Sequence, residues 1–186
     1  WSAPGPVKAT HPDNGPRRET AELIREAFLA SLQPDVIHIS SLFEGYEDDA
    51  ITSIGRFDTQ TPVSVILYDL IPLLNPDQYL TPNPRYATYY AAKIASLRQA
   101  RWMLAISEYS RQEGLQALGE NEERIIHVGT AIGGEFRPLT FAPAASTALL
   151  GRLGISRALV LYTGGADERK NLPRLIEAWA ALPSAL

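Results

Sequence analysis

An α/β fold built on a parallel sheet is the class this sequence predicts, and three observations predict it. Short apolar or β-branched runs, VIHIS, VSVILY and WMLAI, are bounded by turn residues and read as buried strands. Between them lie segments whose apolar residues recur at helical spacing. The two kinds of segment alternate along the chain, the pattern of a parallel sheet covered by helices on both faces.

The elements follow in order. Residues 1 to 16 hold four prolines and read as a loop or arm. Leu23, Ile24, Ala27, Phe28 and Leu32 mark a helix from Arg17 to Leu32 with one stripe toward a core, stopped by Pro34 and Asp35. Val36 to Ser40 is a strand, Asp48 to Phe57 a short helix, and Val63 to Tyr68 a second strand closed by Asp69. The stretch DLIPLLNPDQYLTPNP, with four prolines, reads as a long irregular connection of the kind that carries function. Tyr86, Tyr89, Tyr90, Ile94 and Leu97 then mark a helix, followed by the strand Trp102 to Ile106. Ser107 caps a helix to about Leu118, and Arg124 to Val128 is a further strand.

After Phe136-Arg137-Pro138 the segment LTFAPAAST reads as a linker. A helix from Ala144 to Leu153, a strand from Ala158 to Thr163 and a helix from Asn171 to Leu182 start a second unit of the same kind. The expected division is 1–138 and 139–186. One strand and two helices do not bury their own apolar faces. The chain starts at Trp1 without an initiator methionine and stops just after a helix that should pack on further elements, so it reads as an internal piece of a longer protein.

Composition excludes several roles. Seventeen basic against twenty-one acidic side chains give a net charge of -4, unlike the basic face of a nucleic-acid binder. No apolar run approaches the roughly 20 residues of a spanning helix, and WSAPGPVKAT lacks the form of a signal peptide, so the chain reads as soluble. Cysteine is absent, which fits a reducing compartment without requiring one.

Ligands of parallel sheets sit beyond the carboxyl ends of the strands. Those ends are Ser40 to Gly45, Tyr68 to Asp69, Ser107 to Ser110 and Gly129 to Gly134, so several segments converge on one crevice. In the second unit the run ALVLYT leads into GGADERKNLPRLIEAW. Gly164 and Gly165 permit close backbone approach, the following helix start offers free N–H groups, and Arg169 and Lys170 add charge, with Asn171 as N-cap. A phosphate or diphosphate fits there. The bland alternative is a tight turn followed by a solvated basic pair.

Other candidates have ready structural explanations. Glu47, Asp48 and Asp49 suit the start of a helix. His38 and His127 lie inside apolar strands, and His11 in the arm has no partner at metal spacing, so no metal is expected. The glycine fingerprint of dinucleotide-dependent oxidoreductases is absent.

The succession PDVIHISSLFEG, VSVILYDLIPL, LAISEYSRQEGLQALGENEERIIHVG, EFRP and LVLYTGGADERKNLPRLIEAW resembles the family-four (group 1) retaining glycosyltransferases, in the same order over residues 17 to 182. The resemblance implies two facing Rossmann-like domains, the GT-B fold, with 1–138 on the acceptor side and 139–186 the first elements of the donor domain. It implies transfer of a hexose from a nucleoside diphosphate sugar to a saccharide or lipid-linked acceptor with retention, in cell-surface polysaccharide synthesis. The nucleotide-sugar is a substrate, and neither cofactor nor metal is implied. Lys170 matches the lysine that grips the donor diphosphate. Gly165 stands where many members have arginine, leaving Arg169 to supply the second charge.

By the same resemblance Tyr68 stands where many members of that family have a histidine that contacts the transferred sugar, and Asp69 beside it is a candidate acceptor or sugar contact with the alternative of a turn cap. Tyrosine is a poor general base at neutral pH, with an ordinary pKa of about 10. Glu44, Gly45 and Ser107 face the same crevice, and Gly129 to Ile132 replaces an asparagine-glycine turn. The paired acids that hold sugar and ribose in the family would fall beyond Leu186, so the 186 residues alone are expected to transfer slowly or not at all. The same resemblance implies a cytoplasmic protein, peripheral at the inner face of the membrane, and the incomplete second unit an apolar edge able to self-associate. The rival reading is a sugar-binding or partner-binding domain that kept the fold and lost the chemistry.

Overall fold

The computed structural model describes residues 11, 14–138, 140, 142–157 and 159–183. The chain forms two compact units, Trp1–Ile132 and Gly133–Leu186.

In the first unit, helix α1 (Gly15–Ser31) precedes strand β1 (Ile37–Ile39). Strand β2 (Val63–Leu67) leads through two single turns, α2 (Ile71–Leu74) and α3 (Pro76–Tyr79), to α4 (Pro84–Leu97). Strand β3 (Trp102–Ala105), helix α5 (Glu108–Leu118) and strand β4 (Ile125–His127) complete it. All strand pairs are parallel and the lateral order is β1-β2-β3-β4, so the α/β class stands: a parallel sheet flanked by helices. The register aligns Val65 with Met103 and Met103 with Ile125.

Alternate residues of a strand point to opposite faces. Ile39, Val65, Leu67, Met103, Ala105 and Ile125 share one face and form the core with Tyr89, Tyr90, Ile94 and Leu97 of α4 and Leu118 of α5. Gly114 lets α5 approach closely, because a Cβ there would lie 2.8 Å from Leu67 Cδ2 and 3.0 Å from Ile125 Cδ1. On the opposite face His38 and Ile126 are exposed and Ile66, Trp102 and Leu104 half-buried, with only Ser64 buried. Both faces were expected to carry helices, whereas α4 and α5 pack on one; crossovers that step one way across a sheet with one hand pass over one face.

Two expectations change here. The apolar stripe of α1 does not face the core: Leu23, Ile24 and Phe28 are exposed, while Glu26 is buried, only 4% exposed. Its carboxylate accepts hydrogen bonds from Ser53 Oγ, from Phe57 N at 2.7 Å and from Asp58 N at 3.3 Å. The expected helix from Asp48 to Phe57 is not formed, and those residues run as irregular chain and bends with an isolated bridge at Ala50. Their backbone groups are taken by side chains instead: Glu26 binds the Phe57 amide, Asp48 the Ala50 amide, and Lys93 the Thr52 carbonyl. A backbone satisfied this way has no need of a helical ladder.

The second unit contains α6 (Pro143–Arg152), a 3-10 turn (Glu168–Lys170) and α7 (Leu172–Ala180). The strand expected over 158–163 is not observed over the described residues 159–163, which have no ladder partner. A strand needs a neighbour, and Leu159, Val160 and Leu161 are all exposed. Ala158 lies outside the described residues. The apolar residues Leu175, Ile176 and Trp179 of α7 are exposed as well. No helix among the described residues is long and apolar enough to cross a membrane.

Candidate functional site

The carboxyl ends of the parallel strands gather several of the expected residues. Beyond β1, Ser41 Oγ donates to Glu44 Oε1 at 2.7 Å, and the Glu44 carbonyl accepts from Tyr89 OH at 3.0 Å. Gly45 takes φ +93°, and a Cβ there would run into the Ala50 carbonyl, so this turn admits only glycine.

Beyond β2, Tyr68 is 53% exposed. Its carbonyl accepts from Ser110 Oγ at 2.7 Å, which fixes the strand end to the first turn of α5. Asp69 is exposed and its Oδ1 accepts from Ile71 N at 3.2 Å, capping the turn into α2. Beyond β3, Ser107 is the N-cap of α5, accepting from Ser110 N at 3.0 Å. Beyond β4, Gly129 has φ +75°, and Thr130, Ala131 and Ile132 are exposed.

A group of aromatic rings stands beside these ends. Tyr46 packs edge-on against Tyr86 at 5.0 Å and lies 5.1 Å from Tyr89, and Phe43 lies 5.1 Å from Tyr90. Asn83 anchors it, accepting from the Tyr86 amide at 3.1 Å and donating to Tyr46 OH at 3.1 Å. Burial pushes the Tyr86 and Tyr90 phenols up, and the Asp69 carboxylate adds to both shifts, so Asp69 stands within electrostatic reach of this cluster. Burial likewise raises Tyr89. These phenols stay protonated donors at neutral pH. The tyrosines were legible as a helical stripe; their meeting with Tyr46, some 40 residues away in sequence, was not.

In the second unit the glycine turn is ordered by its own neighbours. Gly164 has φ +147°, and Tyr162 OH donates to the Gly165 carbonyl at 2.8 Å. Asp167 Oδ1 accepts from Arg169 N at 3.0 Å and pairs with Arg169 Nε at 3.3 Å. Arg169 is therefore already engaged by a carboxylate two residues before it. Lys170 closes the 3-10 turn, donating its amide to the Asp167 carbonyl at 2.9 Å, and its side chain is exposed. Asn171 occupies the N-cap position of α7 with φ +50° and makes no side-chain cap, which corrects its expected capping role: the left-handed backbone aims the side chain elsewhere. Among the described residues no group of three His, Asp or Glu stands together as a metal site.

Comparison with known proteins gives the class to which these features relate. The chain is 28% identical, over all 186 of its residues, to the serotype-specific mannosyltransferase WbdA of Escherichia coli, and covers 23% of that protein. A second WbdA sequence from the same organism is also 28% identical over the full chain, with 22% of its length covered. The chain is thus related along its whole length to a glycosyltransferase and spans less than a quarter of the curated relatives it matches. No protein-family description and no solved structure matches it.

Proposed function

We propose that this chain is part of a glycosyltransferase that moves a hexose, mannose by analogy with the relatives, from a nucleoside diphosphate sugar to a saccharide or lipid-linked acceptor in surface polysaccharide synthesis. The single observation carrying this reading is the similarity to mannosyltransferases over every part of the chain. In this reading the first unit faces the acceptor and the second opens the donor domain of a GT-B, family-four enzyme. Transfer proceeds with retention and without a metal, on the cytoplasmic side of the membrane.

The chemistry assigns roles. As the anomeric C–O bond breaks, negative charge grows on the departing diphosphate and must be stabilised electrostatically. Lys170, Arg169 and the amides around Gly164 and Gly165 supply that stabilisation, Asn171 ending the turn, and Asp167 holds the Arg169 side chain in place. Tyr68 and Asp69 contact the sugar or acceptor at the end of β2, Tyr68 as a hydrogen-bond donor.

The test is transfer by the intact polypeptide from a panel of nucleoside diphosphate hexoses to a saccharide acceptor, followed by mass spectrometry. K170A should lower kcat/KM by about 100-fold or more, the loss typical of removing a charge-stabilising group. Unchanged kinetics in K170A would sink the donor-site assignment. Sugar binding without transfer by the intact polypeptide would favour the non-catalytic reading instead. The 186 residues alone should transfer slowly or not at all, and enzyme-like turnover by them would contradict that.

A further inference from the structure

A cavity of about 320 Å³ opens between α1, the 45–52 segment and α4, and neither Tyr68, Asp69 nor Ser107 lines it. Its lining sets Lys93, Arg18 and Arg85 against one carboxylate, Glu22. The Glu22 charge is in turn answered by Arg56, 3.2 Å away, which does not line the cavity. Asp48, which does not line the cavity, also reaches Lys93 electrostatically, and among the lining side chains themselves the basic groups outnumber the carboxylates.

Lys93 is the unusual member. It is a lysine only 8% exposed, and the wall that holds it is polar on one side and aromatic on the other. Its Nζ donates to the Thr52 carbonyl at 2.8 Å and to Thr52 Oγ1, whose own proton goes to the Leu42 carbonyl at 2.6 Å. An ammonium has three N–H donors, so one remains beyond the pair that Thr52 takes. The Tyr89 ring lies 5.5 Å from the same nitrogen.

We propose that this cavity binds a phosphorylated saccharide, its phosphate held by Lys93, Arg18 and Arg85 and its sugar beside Tyr89 and Thr88. Three cationic side chains lining one concave site suit a doubly charged oxyanion far better than a neutral sugar. A bare phosphate would leave most of the volume empty, whereas an aromatic wall and hydroxyl side chains suit a sugar ring. Burial already pushes the Lys93 ammonium down to about 8, the mark of a charge that lacks solvation. An anion in the cavity supplies what the missing water does not. The site uses nothing from the 164–171 turn and stands apart from the transfer reading.

Calorimetric titration of the chain with glucose 6-phosphate, inorganic phosphate and glucose tests it. Glucose 6-phosphate should bind most tightly, inorganic phosphate more weakly and glucose not measurably. R18Q and R85Q should each weaken glucose 6-phosphate by about tenfold, since a lost charge-assisted hydrogen bond is worth about 1.5 kcal/mol or more. Arg85 is exposed, so R85Q leaves the fold intact, with an unchanged Tm as its control. No binding, equal binding of glucose, undiminished binding in the R18Q/R85Q double variant, or binding abolished by K170A would each overturn the site. Equal affinity for inorganic phosphate would overturn its saccharide part. In the intact polypeptide, K170A should leave this binding intact while reducing transfer, which separates the two sites.

Discussion

VSVILY in the first unit and LVLYT in the second are nearly interchangeable as sequences, yet only one becomes a strand. Val63 to Leu67 pairs with β1 on one side and β3 on the other, and Val65 and Leu67 lose all or nearly all contact with solvent. Leu159 to Thr163 has no ladder partner among the described residues, and Leu161 is 77% exposed. β-Propensity thus describes fitness for a packed, pleated surface; with no paired strand beside it, the second run forms no strand, whereas even the edge strands β1 and β4 have one partner each.

The sharpest way to break this comparison is to truncate one leucine in each run. L67A removes a side chain packed under α5 and should cost about 2 to 5 kcal/mol in urea unfolding, the range for emptied core sites. L161A should cost less than about 0.5 kcal/mol, as at an exposed position. A loss at Leu161 that matches Leu67 would show that the second run is packed in solution and that the contrast is false.

Buried charge separates the units next. Lys93 belongs to the first unit's interior, whereas Arg169 and Lys170 are exposed. Burial lowers Lys93 from 10.5 to about 8, with Glu22 partly opposing. The unfolded chain therefore keeps a proton that the folded chain releases between these values, and unfolding takes up that proton. Stability rises with pH through this window; the contribution is complete above 10.5 and lost as pH falls through about 8. Above pH 10 the phenols of half-buried Tyr86 and of buried Tyr89 and Tyr90, all held above the ordinary tyrosine range, turn the slope downward. The stability difference between wild type and K93M should accordingly change by about 2 kcal/mol between pH 7 and 10, from about 1.4 kcal/mol per pK unit. A flat difference would mean that Lys93 is solvated.

How much of this was legible follows from the range of each interaction. The four sheet strands read correctly because each apolar run carries its own pattern and its own turn residues. The irregular course of 48–57 did not, because what shapes it comes from Glu26 and Lys93, distant in sequence by 31 and 41 residues at the bonds to Phe57 and Thr52. The same distance hid the buried face of α1, where a helical period located an apolar stripe without saying that the polar side docks inward. At the candidate site, strand ends place Tyr68 and Asp69 beside Ser110 and the tyrosines, whereas the Asp167 carboxylate, two residues before Arg169, acts at a range legible in the sequence itself.

The finest test of the comparison lies at two helix starts. Ser107 and Asn171 are both residues that favour N-caps, and both were expected to cap. Ser107 has extended backbone angles, φ -150° and ψ 159°, which bring Oγ to the Ser110 amide; Asn171 has φ +50° and ψ 46°, and its side chain makes no cap. S107A should cost about 1 kcal/mol, since it leaves a helix N–H without its acceptor. N171G should cost nothing measurable or add slightly to stability, because glycine enters a left-handed conformation without the penalty of a Cβ. Thermal unfolding of the two variants beside wild type decides the matter. Should N171G lose as much as S107A, the asparagine side chain caps α7 in solution, and the start of that helix matches the start of α5 after all.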